Sequence, residues 1–179
     1  RVRSLIYALP LPSGETWFEG RCAPVRRDPH PSGMAVFVGR DVTAQHRAQL
    51  LLTAQHHCTQ VMAGTDAVDV SMERILRIVC VQLGWDVGEI WRIDPAANVL
   101  RCAFQWHNLR EIAAPFEART REITFARGIG LPGLAWENAG PVWMDDLVHD
   151  LRFLRSDEAF VADIHTGFAV PIVLGGRVI

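Results

Sequence analysis

Hydrophobic and polar residues alternate with a period of two along residues 2–42, which is the pattern of half-buried β-strands. Three extended runs are separated by two turn segments rich in proline and glycine: 2–9, 15–26 and 34–42, with turns at 10–14 and 28–33. In the third run Ala35 and Phe37 alternate with Val36 and Val38. The pattern predicts an antiparallel meander of three strands, close to the smallest sheet that is stable in water.

The period changes to that of a helix over residues 43–64. Thr43 is placed to cap the start of this helix with its hydroxyl, and Gly64 to end it in the left-handed conformation. The apolar positions recur at spacings of three and four residues, like the a and d positions of a coiled coil: Leu51, Ala54, Cys58 and Val61. The stretch therefore predicts a rod that joins two domains, the alternative being a surface helix packed on its own domain.

Residues 65–179 mix short helices with short strands. A helix is predicted from Asp69 to the residue before Gly84, with an apolar face broad enough to be largely buried. Strands at 87–93 and 99–106 follow, and in the second of these one face is apolar: Leu100, Cys102, Phe104 and Trp106. The shorter elements after them are strands at 123–125, 141–145 and 168–173 and helices around Phe116, through 136–138 and at 157–163. Together they predict an α+β domain with an antiparallel sheet.

Composition excludes several classes of function. Of 179 residues 49% are hydrophobic, and the net charge of −2 provides no basic surface for nucleic acid or an anionic membrane. No apolar run approaches the roughly 20 residues of a membrane-spanning helix, and there is no signal peptide. Cys22, Cys58, Cys80 and Cys102 stand singly, as reduced thiols do. We expect a cytoplasmic protein without membrane insertion or a nucleic-acid partner.

Two motifs suggest chemistry but have simpler explanations. The glycines of GIGLPG at 128–133 have the spacing of a dinucleotide fingerprint, but that fingerprint requires a long buried strand before it and a parallel βαβ unit around it. Tight turns explain these glycines better. The seven histidines lack metal-ligand spacing, so no metal site is predicted. The chain also starts without methionine and stops at Ile179 just after a turn, so we expect it to be a fragment of a longer protein.

Residues 1–42 resemble the last three strands of a PAS domain. The segments that carry this resemblance are EGR at 19–21, PVR at 24–26 and VGRDVT at 38–43, where the family closes on a short Asp-(Ile/Val)-Thr signature before a signalling helix. The resemblance assigns residues 1–42 as the C-terminal part of a PAS domain and 43–64 as a signalling linker helix. It gives no information about a PAS cofactor, because the strands and helices that hold one in the family would lie before Arg1.

Residues 65–179 resemble a GAF domain, truncated at its C-terminal end. Five segments in colinear order, together with Trp136, carry this resemblance: QLGWDVGEIW at 82–91, VLRC at 99–102, GIGLPG at 128–133, PVWMD at 141–145 and GFAVP at 167–171. His165 and Thr166 replace an expected leucine-arginine pair. The chain is most similar to GAF modules that follow PAS domains in bacterial sensor histidine kinases and diguanylate cyclases, and it lacks the signatures of bilin and cyclic-nucleotide binding.

The resemblance implies a sensory input region that relays a signal through a dimeric linker helix to an output domain. GAF domains hold ligands between the sheet and helical loops on one face, and five aromatic residues are candidates for the pocket walls: Trp91, Phe104, Trp106, Trp136 and Trp143. No titratable pair stands out among them, which argues against catalysis in this segment. The cofactor or ligand remains unknown, and the partner is a second copy of the chain. The alternative is a ligand-free GAF domain that serves only for dimerisation.

Overall fold

The computed structural model describes residues 3–11, 14–27, 30–65, 67–108 and 114–179. The chain forms two compact units, of which the first ends at Gln55 and the second begins at His56. The boundary lies inside the first helix, α1 (Thr43–Met62). Among the described residues, no helix has both the length and the apolar character that crossing a bilayer would require.

The N-terminal unit is a sheet of three antiparallel strands in the order β1-β2-β3. The strands are β1 (Arg3–Leu11), β2 (Gly14–Arg27) and β3 (His30–Asp41). The β3 strand begins at His30 rather than at Met34, where the sequence predicts it, and Pro31 pairs with Arg26. An edge strand tolerates proline because one row of its amides is not needed for the ladder.

Helix α1 is fastened to the sheet at its first residue. The carboxylate of Asp41 accepts a hydrogen bond from the backbone N–H of Thr43 (2.9 Å), so the aspartate caps the helix. The Thr43 hydroxyl instead accepts the backbone N–H of Trp17 in β2 (2.8 Å), and the Val42 N–H donates to the Trp17 carbonyl (2.8 Å). The His46 ring stacks on the Trp17 ring with centroids 3.9 Å apart. The predicted Thr43 cap is therefore wrong, and this side chain joins the helix to the strand.

The C-terminal unit begins with α2 (Val68–Leu83), which ends at Gly84 in the left-handed conformation, φ 70°. Only Cys80 is fully buried in α2, so the prediction of a largely buried helix is wrong. The sheet β4-β5-β6 is antiparallel, and two short antiparallel pairs follow, β7 with β8 and β9 with β10. The strands are β4 (Val87–Asp94), β5 (Val99–His107), β6 (Thr124–Ala126), β7 (Val142–Met144), β8 (Gly167–Ala169), β9 (Val173–Leu174) and β10 (Arg177–Val178). The helices between them are α3 (Ala114–Glu122), α4 (Gly130–Asn138) and α5 (Ser156–Val161). Antiparallel sheets with interspersed helices confirm the predicted α+β class.

A β-bulge divides β5 into two halves that present opposite faces. Ile90 pairs with Phe104 and the next residue, Trp91, pairs with Cys102, so Ala103 is an extra residue in β5. Because side chains alternate with a period of two, one extra residue moves every later side chain to the other face. Cys102 therefore shares a face with Trp91, whereas Phe104 and Trp106 lie on the opposite one. The predicted single apolar face from Leu100 to Trp106 is wrong.

Helix α2 packs on the face that carries Phe104 and Trp106. Gly88 of β4 pairs with Trp106 and therefore points to the same side. A Cβ atom at Gly88 would lie 2.3 Å from Cys80 Sγ and 2.9 Å from Leu76 Cδ1, so α2 lies directly against this glycine. The face with Glu89 and Trp91 is turned towards the other helices.

The glycine-rich segment that joins β6 to α4 has a structural role. Gly128 (φ 78°) and Gly130 (φ 69°) adopt left-handed conformations that favour glycine. Gly133 lies so close to β6 that a Cβ atom there would be 2.3 Å from the Ala126 carbonyl oxygen. The segment brings α4 onto the sheet at backbone contact distance, which agrees with the tight-turn explanation of the motif.

This close approach makes Gly133→Ala strongly destabilising. The added methyl group meets a backbone oxygen, so α4 has to move away from β6, and we expect the free energy of unfolding to fall by about 2 kcal/mol or more. In the control Gly140→Ala the nearest atom to the new methyl is Asn138 O at 3.6 Å, and the free energy of unfolding stays the same or rises by up to about 1 kcal/mol. Urea denaturation followed by tryptophan fluorescence measures both, and equal effects of the two variants would contradict the proposed contact.

Candidate functional site

A cavity of about 680 Å³ lies along β4 in the C-terminal unit. This volume falls in the range of pockets that hold small molecules. Its walls come from α2 and the residues after it, from β4, from α4, and from the segment 163–172. The aromatic residues that line it are Trp85, Trp91, Phe116, Trp136, Trp143, Phe153 and Phe168. Large flat side chains thus form a part of the cavity wall, beside aliphatic and glycine residues.

The structure brings three of the five predicted pocket residues to this cavity: Trp91, Trp136 and Trp143. Trp143 is 65% exposed, so it stands at the opening. Phe104 and Trp106 are not part of the lining. The bulge at Ala103 turns both side chains away from the face of Trp91, although Gly88 and Ile90, which pair with them, do line the cavity.

Sequence reasoning missed Trp85 and did not place Phe168 in the pocket. The Phe168 ring stacks on Trp143 (centroids 4.5 Å apart, interplanar angle 20°) and meets the edge of Trp85 (4.6 Å, 74°). Trp85 directly follows the left-handed Gly84, and the backbone N–H of Trp85 donates to the Cys80 carbonyl (2.9 Å). The feature that could have predicted Trp85 as a pocket residue is therefore the end of α2, because the left-handed Gly84 determines the direction in which the next residue points.

The main polar feature of the cavity wall is a buried ion pair between Glu89 in β4 and Arg155 at the residue before α5. Nη1 and Nη2 of Arg155 donate to Oε1 and Oε2 of Glu89 at 2.5 and 2.9 Å. The side chain of Arg155 is only 4% exposed, and that of Glu89 is 11% exposed. A fork-to-fork contact of this kind fixes the relative orientation of both groups and is stronger than a contact to a single atom.

Neighbouring groups complete the hydrogen bonding of this ion pair. Trp91 Nε1 donates to Glu89 Oε2 (2.9 Å), and the Thr120 hydroxyl lies 3.1 Å from Glu89 Oε1. Nη1 of Arg155 also donates to Thr120, whose hydroxyl is 2.8 Å from the Phe116 carbonyl oxygen. Both carboxylate oxygens of Glu89 are therefore occupied, and α3 is joined to β4 and to the start of α5.

Aromatic rings surround the guanidinium group of Arg155. Its central carbon lies 4.4 Å from the ring centroid of Phe116 and 5.4 Å from that of Phe153. Trp91 and Phe125 are slightly more distant, at 5.6 and 5.9 Å. The negative faces of the rings attract the cation and replace part of its lost hydration. One nitrogen of the group, Nε, is buried and has no hydrogen-bond partner in the part of the chain that the structure describes.

Local sequence patterns do not predict this ion pair. Its members are separated by 66 positions, and Glu89 appeared only as one charged residue inside a predicted strand. The helix predicted at 157–163 is α5, which begins one residue earlier at Ser156, so that Arg155 occupies its N-cap position. Glu89 lies in a predicted strand between Gly88 and Ile90, and a charged side chain is buried in a strand only when it has a partner of opposite charge. The acidic residue at this position was therefore the one indication of a buried ion pair.

The thiols of the unit are not activated. Burial raises the pKa of Cys80, which lines the cavity, to about 11. Burial, and then the negative charge of Glu89, raise the pKa of Cys102 to about 12. A nucleophilic cysteine has the opposite shift, because the thiolate is the reactive form. Within the described residues, no group of three His, Cys, Asp or Glu side chains could hold a metal ion.

Comparison with known proteins gives the family. The GAF domain family matches residues 66–179. No curated protein matches the chain. The fold is similar to that of the GAF domain of nlh2 from A. aeolicus in an inactive state, with a TM-score of 0.57 and 18% identity over 73% of this chain and 75% of that one.

Two further solved structures have the same fold. The GAF domain of a phosphoenolpyruvate-protein phosphotransferase from Coxiella burnetii has a TM-score of 0.57 and 17% identity over 75% of this chain and 74% of that one. A free methionine-R-sulfoxide reductase from Neisseria meningitidis, in complex with its substrate, has a TM-score of 0.56 and 18% identity over 74% and 70% respectively. Identities this low show the fold alone.

Removing the charge of Glu89 should destabilise the C-terminal unit. In Glu89→Gln the guanidinium of Arg155 stays buried without a counter-charge, and we expect the free energy of unfolding to fall by about 3–5 kcal/mol. The control is Arg92→Gln, which removes an exposed ion pair with Asp69 (2.7 Å) and should cost less than about 1 kcal/mol. Urea denaturation measures both variants. A loss below 1 kcal/mol for Glu89→Gln would show that the buried pair does not hold these elements together.

The raised thiol pKa values predict low reactivity in the native protein. At pH 8 about one in a thousand Cys80 side chains is a thiolate, and the fraction for Cys102 is lower still. We expect iodoacetamide to alkylate the exposed Cys22 while the buried Cys80 and the half-buried Cys102 stay unmodified until the protein is unfolded in urea. Peptide mass spectrometry at timed intervals measures each site. Alkylation of Cys80 at the rate of Cys22 would contradict this assignment.

Proposed function

The chain belongs to the GAF domain family, whose members are regulatory and sensory modules, and we propose that its C-terminal unit binds a small molecule in the cavity along β4. The observation that supports this most directly is the cavity itself, about 680 Å³ in volume with aromatic walls and one buried ion pair. Such a space, apolar with a few fixed polar groups, is what small-molecule sites have in common.

The proposed segment is an input module without its own catalytic step. The Neisseria meningitidis neighbour is a reductase, so the fold also occurs in an enzyme. In this chain the thiol that lines the cavity, Cys80, has a pKa raised to about 11 and is 1% exposed. A buried and protonated thiol is a poor nucleophile. These properties favour regulation over thiol chemistry.

The route by which binding is sensed begins at α2. Leu76 and Cys80 of this helix line the cavity, and Arg74 and Ile78 line a second small cleft together with the end of α1, at His57 and Val61. A ligand that prefers one position of α2 therefore also changes the surroundings of α1. It shifts the equilibrium only by the difference in its affinity for the two positions.

For the rest of the chain we propose the organisation that the sequence suggests. Residues 1–42 are the C-terminal strands of a PAS domain, 43–64 the linker helix and 65–179 the GAF domain. The three-stranded meander and the contacts of Asp41 and Thr43 at the start of α1 support the first assignment. We propose a cytoplasmic signalling protein as the parent, a sensor histidine kinase or a diguanylate cyclase.

We propose that α1 pairs with α1 of a second copy. Ala54 and Val61 of the predicted seam are already buried within one chain, at 5% and 6% exposure. Leu51 remains 53% exposed and Cys58 is half-buried. The surface left for a partner helix is therefore the side of α1 that carries these two residues, which are separated by one heptad.

Ligand binding can be tested with the tryptophan indole N–H signals of the full chain in ¹H–¹⁵N spectra. A compound that occupies the cavity should shift the signals of Trp91 and Trp136, which line it. Trp106 does not line the cavity and should shift less than these two, which makes it an internal control. A library of small aromatic and heteroaromatic compounds is added one by one. If no compound shifts a cavity tryptophan, or if Trp106 always shifts equally, the proposal fails, and a ligand-free dimerisation module becomes the better description.

The pairing of α1 makes a prediction about Leu51 and Cys58. Two glutamates in Leu51→Glu/Cys58→Glu place like charges in the seam, and we expect the dissociation constant of the dimer to rise by at least about tenfold. The matched control is Leu52→Glu/Thr59→Glu, which has the same spacing one position further along the helix. Sedimentation equilibrium measures the dissociation constants. Equal values for the seam variant and the parent chain would exclude this interface.

A further inference from the structure

We infer that the cavity binds its ligand as an added β-strand: a short, extended and uncharged peptide that pairs with the free edge of β4. The inference rests on the proposed function, that the cavity holds a ligand, and it adds the chemical class of that ligand. Three features support it: the unpaired edge of β4, the course of the cavity along that edge, and apolar walls on both sides of the sheet.

Strand β4 has one unpaired edge. Among the residues that the structure describes, β4 pairs with β5 alone. In an antiparallel pair every second residue directs its backbone N–H and C=O away from the partner strand. These groups form a row along the outer edge of β4, and such a row is a template for a further strand.

The cavity runs along this edge and not over one face of the sheet. Side chains of a strand alternate between its faces, so a pocket on one face is lined by every second residue. Here five consecutive residues of β4, 87–91, line the cavity. Gly88 of this run lies on the face of α2, and Glu89 and Trp91 lie on the opposite face. The cavity therefore lies beside the strand.

A second strand edge borders the same space. All three residues of β8 (Gly167–Ala169) line the cavity, and in the described part of the chain β8 pairs with β7 alone. A segment that enters beside β4 therefore also meets the backbone of β8. The run 87–91 has an extended length of about 17 Å, at about 3.4 Å per residue, so the segment that fits has about five residues.

The walls beside this space are apolar on both faces of the sheet. Two helices contribute apolar side chains to the lining: Leu76, Val79 and Cys80 from α2, and Leu131, Ala135 and Trp136 from α4. A strand that is covered on both faces is favoured when its residues are apolar throughout. The Glu89 carboxylate is already paired with Arg155, so a charged side chain at this depth would lose its hydration without gaining a counter-charge.

A peptide is the class of molecule that matches both the edge and the walls. Its backbone repeats donors and acceptors at the spacing of the row on β4, and its alternating side chains reach both walls. A small aromatic compound packs against Trp91 and Trp136 but pairs with few of the backbone groups. Backbone hydrogen bonds therefore supply affinity, and the apolar walls select the side chains.

The test compares three peptides on the unmodified chain, and the indole N–H signals of Trp91 and Trp136 report binding. The first is acetyl-Ala-Val-Ala-Val-Ala-amide. The second has a methyl group on the backbone nitrogen of every residue, which keeps the side chains and removes the donors. The third has lysine in place of both valines. We expect the first peptide to bind at least about tenfold more tightly than either of the others, because the second loses its hydrogen bonds to the edge and the third places charge between apolar walls.

Hydrogen exchange of the β4 amides locates the bound peptide. The outward-pointing amides of β4 have no acceptor in β5, and the first peptide should slow their exchange at least about tenfold. They alternate along the strand with amides that already donate to β5, which serve as the internal reference. The methylated peptide should leave the exchange of all these amides unchanged.

The possible outcomes distinguish this inference from the proposed function. Equal binding of the first and the methylated peptide would show that backbone pairing does not select, and tightest binding of the lysine peptide would show that the walls do not. Unchanged exchange of the outward-pointing amides would show that the peptide does not pair with β4. Each result overturns the inference. If aromatic compounds shift Trp91 and Trp136 while no peptide does, the inference fails and the proposed function stands. If neither class shifts these signals, both fail.

Discussion

The ion pair between Glu89 and Arg155 joins parts of the C-terminal unit that could not hold their positions alone. Helix α5 has 6 residues and α3 has 9, and isolated helices of that length are not stable in water. Through Arg155 and Thr120 both are bound to the side chain of one residue in β4. Burying two charges costs several kcal/mol per ion before their attraction is counted. The bidentate contact and the surrounding rings offset this cost, so the pair specifies the arrangement of the unit even where its net stabilisation is small.

The same pair is the main polar feature of the cavity wall. A wall made only of Trp, Phe and Leu side chains would accept any apolar molecule of suitable size. With Glu89 and Arg155 in it, the wall has a fixed polar site of zero net charge whose hydrogen bonds come from three elements of the fold, β4, α3 and the start of α5. The aromatic rings around the guanidinium keep water away from the site, which strengthens the hydrogen bonds that remain. The arrangement of several elements around the cavity therefore depends on a single contact.

Periodicity predicted the three-stranded meander, the long helix and the α+β class, because each depends on contacts between residues close in the chain. The resemblance to a GAF domain put Phe104 and Trp106 among the pocket residues, and periodicity put them on one face with Leu100 because it assumed an unbroken period of two in β5. One extra residue at Ala103 reverses that period, and a single sequence gives no sign of it. Glu89 and Arg155 were missed for a different reason. Their contact spans 66 positions and depends on the path of every element between them, which local patterns do not contain.

Helix α1 poses a different physical problem, because it belongs to both units. Its first turn is held by β2 through Trp17 and Thr43, and its end shares a cleft with α2. A helix held at both ends transmits a displacement only if it stays rigid between them, and α1 has neither glycine nor proline from Thr43 to Met62. Its low content of buried side chains makes it a weak part of the core. Only Ala54 and Val61 are fully buried along its length, so a movement of α1 disturbs few packed contacts in either unit. The cost of shifting α1 is therefore small compared with the cost of deforming the sheet beside the cavity.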